Sequence, residues 1–329
     1  MIKANWDSDY GQRKAMSHEE LETIPHMPFE EYSERLKHCF LMKRERGILE
    51  ARLHTEGDSM QWGASAHQGL HYFFDWAGRD PDNEIIILGG TGKNFVKSMG
   101  RFRNGKYFPP VEFASAPEVA WRMYEYQYYD GTNDIEGQVF DVEVPTIGVW
   151  NGGAYHTDLV LFSDITLCTE DAWTTEMHFR VNMVPGDGIQ IAWRELMGRK
   201  RFAYAELTGE IITARKALAL GMVNEICADT ESCYKRAWEI ADLIMHTGTR
   251  VTRRITTQQL RKAWKEDIAN ELRNAFATEM YVTATEHSPH TTNFWDDACA
   301  EAELVKAAEK KGKIVRPRIT GAVEEYEIK

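Results

Sequence analysis

The segment EIIILGG, ending at Gly90, is apolar at four consecutive side-chain positions, Ile85 to Leu88. A strand of that kind has no polar face to give to water and must be covered on both sides. Pro145 to Trp150 (PTIGVW) repeats the pattern, and a third strand is expected over Ile165 to Cys168 after a short helix. Ahead of the first, CFLMKRERGILEARLH from Cys39 to His54 alternates in two runs about Gly47, which predicts a β-hairpin. Ser65 to Ala77 has helical spacing and stops at Gly78, and Asp80-Pro81-Asp82 turns the chain into the buried strand. Residues 90–114 read as a loop region, and a second helix begins near Ser115 with Pro117 in its first turn. Hairpin, helix, turn and buried strand in this order predict an α/β fold made of repeated β-β-α units.

The flanks differ in character. Residues 1–28 are polar, without a sustained apolar period, and residues 1–34 read as an N-terminal arm in which Ser17 and Glu20 could form a capping box. The core is expected over residues 35–228. It includes a helix from Gly188 to Met197 and the turn, helix and strand of TGEIITARKALALGMVNEI. Residues 229–287 read as a C-terminal helical region that caps the core or packs on a partner subunit. The Glu- and Lys-rich residues 288–329 read as a tail, wrapped over a neighbour or partly disordered.

Composition narrows the function. A formal charge of −12 and a pI near 5.5 argue against nucleic acid and anionic membranes as partners. No apolar run approaches the ~20 residues that span a bilayer, and the N-terminus has no apolar core of a signal peptide. Five cysteines without metal-ligand spacing fit a reducing, cytoplasmic location.

Three polar residues stand out between Val149 and Leu196: His156 after the Gly152-Gly153 turn, His178, and Asp187 inside Pro-Gly-Asp-Gly. Each alone has an ordinary explanation. Asp and Gly are turn residues, Asp is a good helix N-cap, and a lone histidine is usually a satisfied core residue. Their grouping near strand ends and helix starts raises the chemical reading. A carboxylate holding one nitrogen of an imidazole fixes its tautomer and leaves the other nitrogen to take a proton from water. A second histidine beside an indole, for which Trp62 is the candidate, could hold the negative charge that develops on a carbonyl oxygen.

The β-β-α pattern, the TGxxF after the first buried strand, the NG turn after VPTIGVW and above all LTGEIITARKALALGMVNEI resemble the crotonase (enoyl-CoA hydratase/isomerase) superfamily over roughly residues 35–280. HTEG at 54–57, WGASAH at 62–67 and H-F-x-x-x-x-V-P-G-D-G from His178 to Gly188 are similar to β-diketone hydrolases of the 6-oxocamphor hydrolase type. Hydratases of the superfamily use two glutamates. One follows the Gly-Gly turn, where this chain has Ala154-Tyr155-His156; the other lies seven residues before the turn proline, where it has His178.

The resemblance implies a crotonase-like spiral with a C-terminal helical region. It also implies hydrolysis of a carbon–carbon bond in a small cyclic β-diketone, by a retro-Claisen reaction without coenzyme A, metal or other cofactor. Trp62 and His156 would bind and polarise one ketone, and His178, oriented by Asp187, would activate water. Glu279 of a C-terminal helix would be the family's further glutamate, and the backbone near Gly153 and in the Lys97–Met99 segment a further oxyanion site. A homotrimer or dimer of trimers is implied as well. The competing reading is a coenzyme A-dependent ring-opening hydrolase or hydratase/isomerase.

Overall fold

The computed structural model describes residues 24–97, 102–103, 106–107, 121, 124–286, 294–317 and 324–326. The Ser17–Glu20 capping box, the start of the helix near Ser115 and Met99 lie outside these residues.

Two sheets carry the fold. The larger contains β1 (Phe40–Glu45), β2 (Ile48–Leu53), β4 (Ile85–Gly90), β8 (Thr146–Trp150), β10 (Ile165–Thr169) and β13 (Glu225–Cys227), in that spatial order. Its strands run parallel from β2 to β13, and β1 closes one edge antiparallel to β2, with Phe40 opposite Leu53. Arg46 and Gly47, both at positive φ, make the tight turn of this hairpin. The smaller sheet has the order β12 (Ile212–Thr213), β11 (Trp173–Thr174), β9 (Gly153–Ala154), β5 (Val96–Lys97) and β3 (Met60–Gln61). Two short pairs complete the described strands: β6 (Phe102–Arg103) with β7 (Lys106–Tyr107), and β14 (Ile314–Arg316) with β15 (Glu324–Tyr326).

Four times a strand of the larger sheet is followed by one of the smaller, as β2–β3, β4–β5, β8–β9 and β10–β11. Helical segments at Ala64–Arg79, Tyr124–Asp141, Asp158–Leu161 and Ile189–Met197 follow these pairs. This is the repeated β-β-α spiral expected from the sequence. The second helical segment is not a regular α-helix, because Tyr124–Tyr129 and Gly137–Asp141 are π-helical on either side of Asp130–Glu136.

The unbroken apolar run of β4 is explained by its two faces. Ile86 and Leu88 point into the main core between the layers, while Ile85 and Ile87 meet Tyr234, Ala237 and Ile240 of the Thr230–Thr247 helix. The larger sheet is thereby covered on both sides. The C-terminal region continues as helices Arg250–Leu260 and Lys262–Glu286. No helix among the described residues is long and apolar enough to cross a membrane.

The last segment departs from expectation. Residues Phe294–Lys310 form a helix docked on the chain's own core, with Trp295 stacked on Trp173 at 5.3 Å between ring centroids. Its buried stripe is Ala298, Ala302, Val305 and Ala308. Small alanines among many Glu and Lys residues give a weak apolar signal, so the helical period is masked in the sequence.

Candidate active site

The two turns that carry the histidines are fixed by close packing. Gly152 has φ +67°, and a Cβ there would lie 1.8 Å from the Lys93 carbonyl oxygen, so the turn leading out of β8 requires glycine. Gly153 presses flat on the Trp173 indole, where an added Cβ would come within 2.7 Å. Contact with Trp173 is thus sufficient reason for a glycine at this position, without reference to a ligand. Across the site, a Cβ on Gly186 would meet the Ala275 carbonyl oxygen at 2.5 Å and Glu279 Cβ at 2.8 Å. The Pro-Gly-Asp-Gly turn therefore lies directly on the Lys262–Glu286 helix, and Asp187 and Glu279 enter one space.

His156, His178, Asp187, Glu279 and Trp62 are all buried there. Asp187 Oδ2 lies 3.3 Å from His156 Nδ1 and 3.5 Å from His178 Nε2, so one carboxylate oxygen faces both imidazoles. Its Oδ1 accepts from the Ile189 N–H at 3.4 Å, at the start of the Ile189–Met197 helix. The ordinary reading of Asp187 as a helix-terminus residue and the chemical one both hold, one oxygen each. Glu279 Oε1 is 3.8 Å from His178 Nε2. Trp62 meets His156 with its ring face, the centroids 3.8 Å apart and the planes at 25°.

The tether of His178 is a residue that the sequence reading passed over. Glu176 accepts the His178 Nδ1–H at 2.6 Å and, through its other oxygen, the His178 backbone N–H at 3.0 Å. Asp187 faces the opposite nitrogen, so the expectation that Asp187 orients the imidazole is replaced by Glu176 in that place. The reason is local: Glu176 stands two residues before His178, at the entry of the short Phe179–Val181 3₁₀ turn, where its side chain folds back on the backbone. Acidic residues two apart from a histidine are common, and nothing in the sequence marks this one.

Further groups border the site. His67, which the sequence does not single out, is buried, packs edge-on against Trp62 at 4.6 Å and holds Asp134 through Nδ1 at 2.8 Å. Its place in the WGASAH segment beside Trp62 was the available signal. Asp158 Oδ1 lies 3.5 Å from His156 Nδ1. Tyr155 packs edge-on against Trp295 of the last helix at 5.8 Å, so the C-terminal segment backs this wall.

Neighbouring charges divide the two equally buried histidines. Desolvation takes the His156 imidazole down to about 3, outweighing the nearby Asp187 charge, so it is neutral at physiological pH. His178 is just as buried, but the charges of Glu176 and then Asp187 overcome desolvation and hold it well above the usual histidine range. Burial pushes the Glu279 carboxyl up to about 8 and that of Asp158 to about 7. The Asp134 carboxyl is likewise raised by burial, to about 6, against the pull of its His67 partner. Glu176, against its own burial, is held low by the His178 charge and hydrogen bonds. The site combines a neutral imidazole, a carboxylate-tethered imidazole and a protonated carboxyl group.

His178, Asp187 and Glu279 each turn one ligand-type atom into this space, all within 4.8 Å of one another. A divalent ion would have to displace the protons that His178 and Glu279 hold.

A two-layer β-β-α spiral enclosing buried imidazoles and carboxyl groups defines an α/β protein of the crotonase superfamily. The family model of enoyl-CoA hydratase/isomerase matches residues 122–293, and the chain belongs to that family. It is 26% identical over 168 residues to a probable peroxisomal enoyl-CoA hydratase of Arabidopsis thaliana, covering 50% of this chain and 57% of that protein. It is 24% identical over 173 residues to a carnitinyl-CoA dehydratase of Salmonella typhi, covering 51% and 60%. The chain thus spans well under two thirds of these relatives' length. Among solved structures it is similar to a β-diketone hydrolase from the cyanobacterium Anabaena bound to (S)-3-oxocyclohexyl acetic acid. There the TM-score is 0.67 and the identity 28%, covering 80% of this chain and 98% of the other. An enoyl-CoA hydratase/isomerase from Mycobacterium paratuberculosis shares the fold with a TM-score of 0.67 at 21% identity, over 77% and 96% of the two chains.

Proposed function

We propose that this protein hydrolyses a carbon–carbon bond of a small cyclic β-diketone to give a keto acid. The observation that carries the reading is the pair of buried imidazoles facing one Asp187 oxygen, where hydratases of the superfamily use two glutamates. The likeness to a β-diketone hydrolase supports the same substrate class.

In this reading the neutral His156, with Trp62 against its face, polarises the ketone. The His156 Nδ1 lies between Asp187 Oδ2 at 3.3 Å and Asp158 Oδ1 at 3.5 Å, so in this reading Nε2 is the nitrogen left for the carbonyl. His178, held through Nδ1 by Glu176, uses Nε2 to take a proton from water. The resulting hydroxide adds to the carbonyl carbon. Collapse of the tetrahedral alkoxide breaks the bond to the neighbouring carbon, and the electron pair passes into the enolate of the second ketone. Glu279 gives its proton to the enolate carbon and is recharged by the His178 imidazolium. Water has then been divided between the two ends of the opened ring, hydroxyl on the new acid and hydrogen on the carbon beside the remaining ketone.

The test is turnover of a panel of cyclic 1,3-diketones in ¹⁸O-water, with crotonyl-CoA assayed in parallel. Label in the new carboxylate is the expected result. Turnover of the thioester with no diketone cleaved would overturn the reading.

The pH dependence follows from the two shifted groups. His178 must be neutral to act as a base, so kcat/KM rises with pH through a value above 6.5. Glu279 must keep its proton, so the rate falls again around pH 8. The expected profile is bell-shaped. Glu279→Gln should show a lower kcat and no falling limb from this group. A wild-type profile flat from pH 5 to pH 9 would contradict both assignments.

A further inference from the structure

Behind the tether lies a second carboxyl group with no place in the mechanism above. Glu206, on the Arg199–Thr208 helix, is buried, and neither of its oxygens meets an N–H or O–H donor of the protein. Its side chain is in hydrogen-bond contact with Glu176, which is itself fully buried. Two carboxyl groups in such contact cannot both be charged, because like charges at that range in a dry site repel strongly. One must carry the proton between them. Glu176 already accepts two hydrogen bonds from His178, so the proton belongs to Glu206.

We propose that Glu206 is a positioning residue, a carboxylic acid whose hydrogen bond to Glu176 sets how tightly His178 holds its proton. The chain runs from Glu206 O–H to Glu176 carboxylate to His178 Nδ1–H. A donor on a carboxylate spreads its charge and weakens its pull on the imidazolium. Glu206 thus keeps the base from being held too strongly in its charged, inactive form. Burial, then Glu176 and Asp187, push the Glu206 carboxyl up to about 9 against the lowering pull of the His178 charge. At neutral pH the acid form is therefore the resident one.

The proposal rests on the hydrolytic reading only for its effect on rate; the proton affinity of His178 can be read without any substrate. The experiment is a ¹⁵N-histidine NMR titration of wild type, Glu206→Gln and Glu206→Ala, with His178 assigned by its absence in His178→Ala. Thermal melting of each variant establishes that it is folded. Glutamine still donates to Glu176, and the His178 midpoint should stay within about 0.3 pH units of wild type. Alanine removes the donor, and the midpoint should rise by about one unit, since hydrogen bonds to charged groups are worth about that much. If a diketone is turned over, kcat/KM on the acid limb should fall about tenfold in Glu206→Ala and remain near wild type in Glu206→Gln. A His178 midpoint in Glu206→Ala that matches wild type overturns the proposal, as does a Gln variant that shifts like Ala. The NMR result holds or fails independently of whether a diketone is the substrate.

Discussion

Exchange of His178 for alanine is expected to lower kcat on a cyclic diketone by roughly 10²–10⁴-fold, the usual contribution of a positioned general base. KM should change little, because His156 and Trp62, which face the ketone in our reading, lie on a different wall. The geometry makes His178 unusually hard to replace. Its Nδ1 is occupied by Glu176 at 2.6 Å, and its Nε2 is the nitrogen turned toward both Asp187 and Glu279. His67 is also tethered, by Asp134 at 2.8 Å, but it packs edge-on against Trp62. His156 presents Nδ1 to Asp187 but is neutral down to about 3, too weak a base to deprotonate water near neutrality. Added imidazole should restore part of the rate in His178→Ala, since the cavity keeps Glu176 to hold it. Steady-state kinetics with and without imidazole is the measurement. A variant that keeps more than about a tenth of wild-type kcat would remove His178 from the role.

The second large effect concerns stability. Arg261, in the junction between the Arg250–Leu260 and Lys262–Glu286 helices, is 1% exposed. Its guanidinium reaches Asp164 through Nε at 2.9 Å and Nη2 at 2.6 Å. It also reaches the carbonyls of Gln138, Val142 and Val144 and the Thr146 hydroxyl. Asp164 in turn accepts from the Thr146 N–H at 2.7 Å, so the same cluster sets where β8 begins. Arg261→Met deletes the cation and leaves a partly buried carboxylate and several carbonyls without a donor. The expected loss is about 3–5 kcal/mol of unfolding free energy, typical of breaking one side of a buried pair. Arg261→Lys should recover only part of it, since one ammonium cannot reproduce the planar fork. Urea denaturation followed by tryptophan fluorescence measures both. A loss below about 1 kcal/mol would mean that the cluster is not what anchors β8. Because β8 runs straight into Asn151–His156, the Met variant should also lose activity before it unfolds.

The strand pattern was legible because it is forced. Ile85 to Leu88 must be dry on both faces, and the structure places the main core on one side and the Thr230–Thr247 helix on the other. The Cys39–His54 hairpin was equally plain, since its alternation and the Gly47 turn are local. The Phe294–Lys310 helix was not, because its buried stripe is mostly alanine and its partners, among them Trp173, Ile211 and Tyr155, come from distant parts of the chain.

For the site, the sequence by itself determined residue types and turns: imidazoles at 156 and 178, a carboxylate at 187 and the glycines that let their segments approach. Those choices are local, a matter of which backbone each residue allows. Only the tertiary structure decided which acid holds which nitrogen. Glu176, not Asp187, takes His178 Nδ1, His67 and Glu206 close in behind, and the two histidines are driven to opposite proton affinities. The physical reason is that proton affinity depends on desolvation and on charges within a few ångströms. Those neighbours are brought together from distant parts of the chain by the spiral, at separations that spacing along the sequence does not encode.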